Sequence, residues 1–279
     1  MQNSTTVLES QLDWLTASFH TRDSADRAKA DADRWARSEV ADGAQVKPFR
    51  LGGYEGWQAG RVRLGTRLDG ALLQLSGDFA ERHIADVAVR ATNVSRVDIA
   101  VTVRLEPARE DLARAHYDDA REHRKVRPSS ARPELHQDGD GGSTLYLGDR
   151  ASNWFLRVYN KHAECLENRD FEGAAHYEGC WRYELEIKGP DALRQAQLYP
   201  GILDRPGYCQ AYVHQWAENH GVPPVFPYTG DQKIEPGFRR RSDRETRLLW
   251  LAQSVKPAVQ WLRDSTDRET LVDLLGLSQ

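Results

Sequence analysis

No run of apolar residues in this chain approaches the roughly 20 needed to cross a bilayer. The start, Met1 to Leu12, lacks the basic-then-apolar layout of a secretory signal. A cytoplasmic protein without a membrane partner is expected. Cysteine is scarce: Cys165, Cys180 and Cys209 are odd in number and show no CxxC spacing, so neither a disulfide framework nor a zinc ribbon is indicated. They read as reduced, structural thiols. An excess of positive charge is missing too. Lys plus Arg number 38 against 42 Asp plus Glu, a formal charge of −4, which excludes a protein that coats nucleic acid at large. A local grip on phosphate survives that exclusion, because charges beyond a Debye length of about 8–10 Å are screened. Two basic clusters, Arg121, Arg124, Lys125 and Arg127, and the run Arg239, Arg240 and Arg241, are candidates for it. Each reads equally well as a solvated face.

What is present is material for a core. A length of 279 residues with 39% hydrophobic residues, eight Trp and ten Tyr fits a globular chain rather than a disordered one. From Val7 to Phe19 the apolar spacing fits a helix or a strand around Asp13 to Phe19. Ser24 to Val40 reads as a helix capped by Ser24 or Asp23. Glycines punctuate Lys47 to Leu75 into short antiparallel strands. Asp78 to Ala91 returns to helical spacing, and VSRVDIAVTVRL is the clearest strand. Ala108 to Glu122 reads as a helix after Pro107, and the polar tract Lys125 to Gly142 as a loop or mobile linker. Two strands, STLYLG and FLRVYNK, a charged helix from His162 to Tyr177, and the strand CWRYELEIKG follow. Beyond Asp191 the chain reads as mostly helical, ending in an amphipathic helix from Asp243 to Leu262 interrupted by Pro257.

No repeat of fixed period is visible. The mixture of strands and helices without strict alternation points to an α+β fold, antiparallel sheets flanked by helices, built as two related halves. The expected organisation is an N-terminal α+β half over 1–105, a helix and mobile polar loop over 106–142, a strand-strand-helix-strand unit over 143–190, and a helical region over 191–279, all in one integrated unit.

Residues two apart on a strand share a face. In SRVDIAVTV that rule groups Arg96, Asp98, Ala100 and Thr102 against four β-branched residues. In FLRVYNK it groups Arg157, Tyr159 and Lys161, and in WRYELEIK it groups Arg182, Glu184, Glu186 and Lys188. If the three strands align these faces, one surface carries carboxylates, a phenol and several cations. Carboxylates suit a hard divalent cation, and a tyrosine beside one can attack a phosphodiester. Arg157 and Lys161 would offset charge on the phosphate or ease ionisation of the phenol from its usual pKa of about 10. The same pattern also makes ordinary cross-strand ion pairs. Asp98 fits that second reading least well, because an acid among β-branched residues is costly to bury unpaired.

The segments SRVDIAV, STLYLG, RVYNKHAE and WRYELEIKG, in this order, resemble the replication initiation factor family of rolling-circle plasmids and phages, which also includes relaxases of integrative conjugative elements. LDWLTASF, YEGW, GALLQLSG and LLWLAQSVKPAVQWL extend the resemblance over most of the chain. It implies a nicking-enzyme-like core and a metal-dependent endonuclease that cuts and rejoins DNA at an origin through a 5′-phosphotyrosine. Tyr159 would be the nucleophile, with Lys161 its companion in the motif. Asp98 and Glu184 would hold Mg²⁺ or Mn²⁺, with Arg182 and Lys188 in support. Glu186 joins the metal set by strand alternation. The partners implied are origin DNA, as a single strand or hairpin, a second copy of the chain and a helicase.

Two departures qualify this. Family members commonly carry a second acid where this chain has Thr102, so either that acid is dispensable or Glu186 takes its load. Better-known initiators bind metal through a His-hydrophobic-His pair, and none of the nine histidines forms an HxH. A conjugative relaxase of the same chemistry and a DNA-binding regulator that does not cleave remain as alternatives.

Overall fold

The computed structural model describes residues 4–106, 111–137 and 142–227, all within one compact unit. The Arg239 to Arg241 run and the Asp243 to Leu262 helix lie outside the described residues.

The opening segment settles as strand. β1 (Ser4–Phe19) is 16 residues long, and α1 (Arg22–Ala41) follows, its first turn capped by the Thr21 hydroxyl rather than by Asp23 or Ser24. The glycine-punctuated region forms β2 (Val46–Leu51), β3 (Tyr54–Ala59), β4 (Val62–Arg67) and β5 (Gly70–Ser76), each joined to the next by a tight turn. α2 (Asp78–Arg90) starts after Gly77, so Asp78 sits in the first turn, where its charge favours the helix N-terminus, and not at the cap. β6 (Asn93–Glu106) and α3 (Leu112–Val126) come next; Asp111 caps α3, which begins four residues later than the expected start at Ala108.

The polar tract after α3 is not all loop. β7 (Pro133–Gln137) lies inside it and pairs with β8 (Ser143–Leu147), its exposed polar side chains being those of a sheet edge. β9 (Trp154–Asn160) is followed by two short helices, α4 (Lys161–Glu167) and α5 (Phe171–His176), where one charged helix was expected. Arg169, at φ 58, breaks them apart. β10 (Cys180–Lys188), α6 (Gly189–Leu198), a single 3-10 turn and α7 (Arg205–Asn219) complete the described chain.

The fold is α+β: ten antiparallel strands in one sheet, in the order β2-β3-β4-β5-β1-β6-β10-β9-β8-β7, flanked by helices. Strand order and chain order together reveal two halves of like connectivity. β1, α1, β2 to β5 and α2 correspond to β6, α3, β7 to β10 and α6, with α4 and α5 inserted before β10. By connectivity β6 opens the second half, so the division drawn from the sequence at residue 105 falls at the end of its first strand. The halves join where β1 pairs with β6.

One sheet face carries the core. Val97, Ile99, Val101 and Val103 of β6 and Trp181, Tyr183, Leu185 and Ile187 of β10 are all buried on it, beneath α3, α6 and α7. Each such side chain stabilises the fold by roughly 1.5–3 kcal/mol when fully buried. The three cysteines are free and buried, in keeping with structural thiols. Among the described residues no helix is long and apolar enough to cross a membrane. The opposite sheet face is polar.

Candidate active site

Strand alternation delivers the polar face, and the register aligns it. Across β10 and β6, Glu186 stands opposite Asp98, Glu184 opposite Ala100 and Arg182 opposite Thr102. Across β10 and β9, Glu184 stands opposite Arg157 and Arg182 opposite Tyr159. The three strands therefore share the composite face that their sequences suggested.

β1 contributes to it through two irregularities. Between Val7 and Glu9, and again between Leu12 and Trp14, the register against β6 slips by one residue. Each bulge turns an extra side chain towards the polar face. Glu9 thus lies opposite Thr102, and Asp13 and Trp14 both reach the cleft beside Asp98.

At the centre, the Tyr159 hydroxyl donates to Glu184 Oε2 at 3.1 Å, and Arg157 donates to the other oxygen of the same carboxylate. Asp98 is fully buried on β6, close enough to Glu184 of β10 for each to shift the other's carboxyl. Arg96 grips Asp98 through Nε at 2.8 Å and Nη2 at 2.5 Å, and reaches Glu186 at 2.8 Å. Lys188 pairs with Glu186 at 2.5 Å. Arg182 donates to Thr102 at 2.8 Å, to Glu9 at 2.5 Å and to Asp13 at 3.3 Å. Lys161 lies 6.0 Å from the centre of the Tyr159 ring and pairs with Glu164.

Lys161 gets there by a different route from the one its sequence suggested. β9 ends at Asn160, whose side chain caps α4, and Lys161 is the first residue of that helix rather than the next alternate strand position. The residues brought together are Tyr159, Arg157, Asp98, Glu184 and Arg182, with Lys161 beside the ring. Glu186 and Lys188 lie one step along β10, paired with each other, and Glu186 is also bound by Arg96.

Electrostatics follow from crowding. Burial pushes the Asp98 carboxyl well above the usual carboxylate range, and nearby Glu184 adds to that against the pull of Arg96. Glu184 moves the other way: burial raises it, but Arg157, the hydrogen bonds from Arg157 and Asp98, and Arg182 outweigh burial and lower it. The two neighbouring carboxyls thus move in opposite directions, Asp98 up and Glu184 down. Tyr159 is only 8% exposed, and burial together with Glu184 pushes its hydroxyl well above 10. Burial likewise raises Asp13, with Arg182 opposing.

Two cavities flank the tyrosine. One of about 290 Å³ is lined by Thr144, Tyr146, Arg157, Tyr159 and Glu164. The other, about 650 Å³, runs from Tyr159, Glu184 and Arg182 past Asp13 to Trp14, Arg96 and Ser76. A phosphodiester strand entering the larger one would meet the phenol beside Arg157 and Arg182.

The donor set fits a divalent cation in part. Asp98 and Glu184 are neighbouring carboxyls on adjacent strands, the oxygen donors that a hard cation takes. Glu186 is engaged by two cations, and among the described residues no group of three or more His, Cys, Asp or Glu side chains is gathered as a metal site.

Sequence reasoning missed Glu9, Asp13 and Trp14. The acid looked for at position 102 stands one strand over, where Thr102 donates to Glu9 at 3.3 Å. The signal available was the likeness of LDWL to VDIA, an acid set among apolar residues in each.

No curated protein matches the chain. A solved structure described as the rolling circle replication initiator protein from Geobacillus stearothermophilus is similar at 16% identity and a TM-score of 0.43, over 77% of this chain and 85% of that one. Residues 92–199, the span from the first strand of the second half to the end of α6, match the family described as replication initiation factor.

Proposed function

We propose that this protein is a rolling-circle replication initiator that nicks and rejoins one DNA strand at an origin, with Tyr159 as the nucleophile. The observation that carries this is the Tyr159 hydroxyl, hydrogen-bonded to a buried carboxylate in a cleft walled by Arg157, Arg182 and Lys161. The family match over residues 92–199 encloses all of these groups.

In the first step the Tyr159 hydroxyl passes its proton towards Glu184 and its oxygen attacks the phosphorus. The P–O3′ bond breaks, the leaving oxygen takes up a proton as a free 3′-OH, and the 5′-phosphate remains joined to the tyrosine. Running the step backwards with a 3′-OH rejoins the strand, because the ester conserves the bond energy. Arg157 and Lys161 flank the ring and offset charge that builds on the phosphate. Arg182, held by Glu9, Asp13 and Thr102, keeps a cation beside the phenol.

Asp98 and Glu184 would hold Mg²⁺ or Mn²⁺, which supplies charge to the phosphate and favours the phenolate. Glu186 we assign to holding Arg96 and Lys188. Origin DNA is the partner this reading requires.

The test is covalent capture from a random single-stranded oligonucleotide pool in Mn²⁺, read on a denaturing gel. Wild type is expected to yield an adduct and Tyr159→Phe none. An adduct of equal yield from both would overturn the assignment. Origin binding without any adduct would instead favour the non-cleaving regulator.

A further inference from the structure

The two halves place corresponding residues on the open face, and the comparison is informative. In the second half Glu184 of β10 stands opposite Arg157 of β9. At the corresponding place in the first half, Gln74 of β5 stands opposite Arg63 of β4. Inward, Glu184 faces Ala100, two residues from Asp98, and Gln74 faces Thr16, two residues from Trp14. Trp14 and Asp98 are themselves partners across the central β1–β6 pairing. By register Trp14 stands in the place of Asp98 and Gln74 in that of Glu184, while the arginine is kept and Asp13, set off the register by the bulge, is bound to Arg182.

The tyrosine is removed as well. Two residues beyond Arg157 is Tyr159; two beyond Arg63 is Gly65. A Cβ at Gly65 would come within 2.8 Å of Tyr54 Cβ and 3.3 Å of Phe49 Cε1, so aromatic side chains fill the space that the nucleophile's position leaves.

Removing the acids changes what the arginine can do. Arg157 spends its charge on Glu184. Arg63 has no carboxylate partner among the described residues, and its Nη1 is buried without a hydrogen-bond acceptor. Its guanidinium lies 4.7 Å from the Trp14 ring centre, and Arg96 lies 5.2 Å from the same ring. Gln74 is occupied with Thr16, to which it donates at 3.2 Å. A half-buried cation without an anion is costly, and that burial weakens the hold of Arg63 on its proton. A phosphate oxygen is the acceptor this arrangement lacks.

We propose that the open face of the N-terminal half is a single-stranded DNA track, in which Arg63 takes a backbone phosphate and the part-exposed rings of Trp14 and Phe49 take up bases. Arginines interleaved with aromatic rings are the means by which proteins hold single strands without reading sequence. The larger cleft already joins Tyr159 to Trp14, the ring on which Arg63 lies. The track rests on the nicking proposal for its direction: one flank of the strand cut at Tyr159 would cross β10, β6, β1 and β5 to reach β4.

The test uses the full chain and a fluorescein-labelled oligothymidylate long enough to cross both halves. Binding is followed by anisotropy across a salt series, with covalent capture measured in parallel. Arg63→Ala is expected to weaken binding and to reduce the slope of log affinity against log salt by about 0.7, the loss of one single-strand phosphate contact. Arg63→Lys keeps the charge and should restore the slope, which separates lost charge from damaged folding. Equal affinity and slope in wild type and Arg63→Ala would overturn the track, as would a Lys variant that behaves like Ala. Failure of the nicking proposal reads differently, as a wild-type adduct that Tyr159→Phe does not abolish.

Discussion

Asp98 and Glu184 show how one proton sets the state of a buried site. Two carboxyls held together out of water cannot both ionise cheaply: burial and Glu184 raise the Asp98 carboxyl against the pull of Arg96, while Arg157 and Arg182 lower Glu184. The folded chain therefore binds the Asp98 proton more tightly than the unfolded chain, whose value is near 3.8. Stability from this group is full below that value and declines as pH rises towards the raised folded value. Asn at this position carries no charge at any pH and removes the decline. Asp98→Asn is expected to melt above wild type at neutral pH, by about 2–4 °C for each kcal/mol relieved, with the gap closing towards pH 4. Melting curves across that range check this; a gap that widens on acidification would contradict it. Mn²⁺ added at neutral pH should raise the melting point of wild type and leave Asp98→Asn unmoved, because the cation competes for the place of the proton.

At the scale of an element, the junction of β9 and α4 decides whether Lys161 reaches the site. A strand ends and a helix begins within the tripeptide Tyr159-Asn160-Lys161, and the turn is held by the Asn160 side chain accepting from the Ala163 amide at 3.1 Å. Asn160→Ala removes that cap, worth about 0.5–2 kcal/mol. Melting should fall correspondingly and adduct formation slow, while Asn160→Asp, which can cap, keeps both near wild type. Equal adduct rates in the Ala variant would show that Lys161 is positioned by other contacts. This junction also marks what the sequence could tell. β6, β9 and β10 were legible because period-2 burial pairs β-branched residues on one side with polar ones on the other, and Asp98, Tyr159 and Glu184 fell on one face for that reason. Lys161 was grouped with them by a rule that stops where the strand stops. Glu9, Asp13 and Trp14 were not legible as neighbours of the site, because a bulge adds a residue without a sequence period to announce it. β7 was hidden by polar residues suited to a sheet edge.

Over the whole molecule, the question is whether two halves of like connectivity act as two bodies or one. The sheet is unbroken between them: β1 pairs with β6 from Ser4 opposite Glu106 to Ser18 opposite Asn93. Side chains cross the same line, with Arg182 of the second half bound to Glu9 and Asp13 of the first, and Tyr177 donating to Glu9 at 2.6 Å. α7 packs on β1, β6 and β10 together, so its apolar face belongs to both halves. Opening either half alone would expose that face and strand the Arg182 charge. One cooperative unit follows. Native-state hydrogen exchange should therefore report opening free energies for β1 and β5 that agree with those for β6 and β10 to within about 1 kcal/mol. A first half that opens well below the second would separate the proposed strand track from the site around Tyr159. Coincident opening would mean that the same global unfolding event carries both, as expected of a face on which the cut strand is held at one end and cleaved at the other.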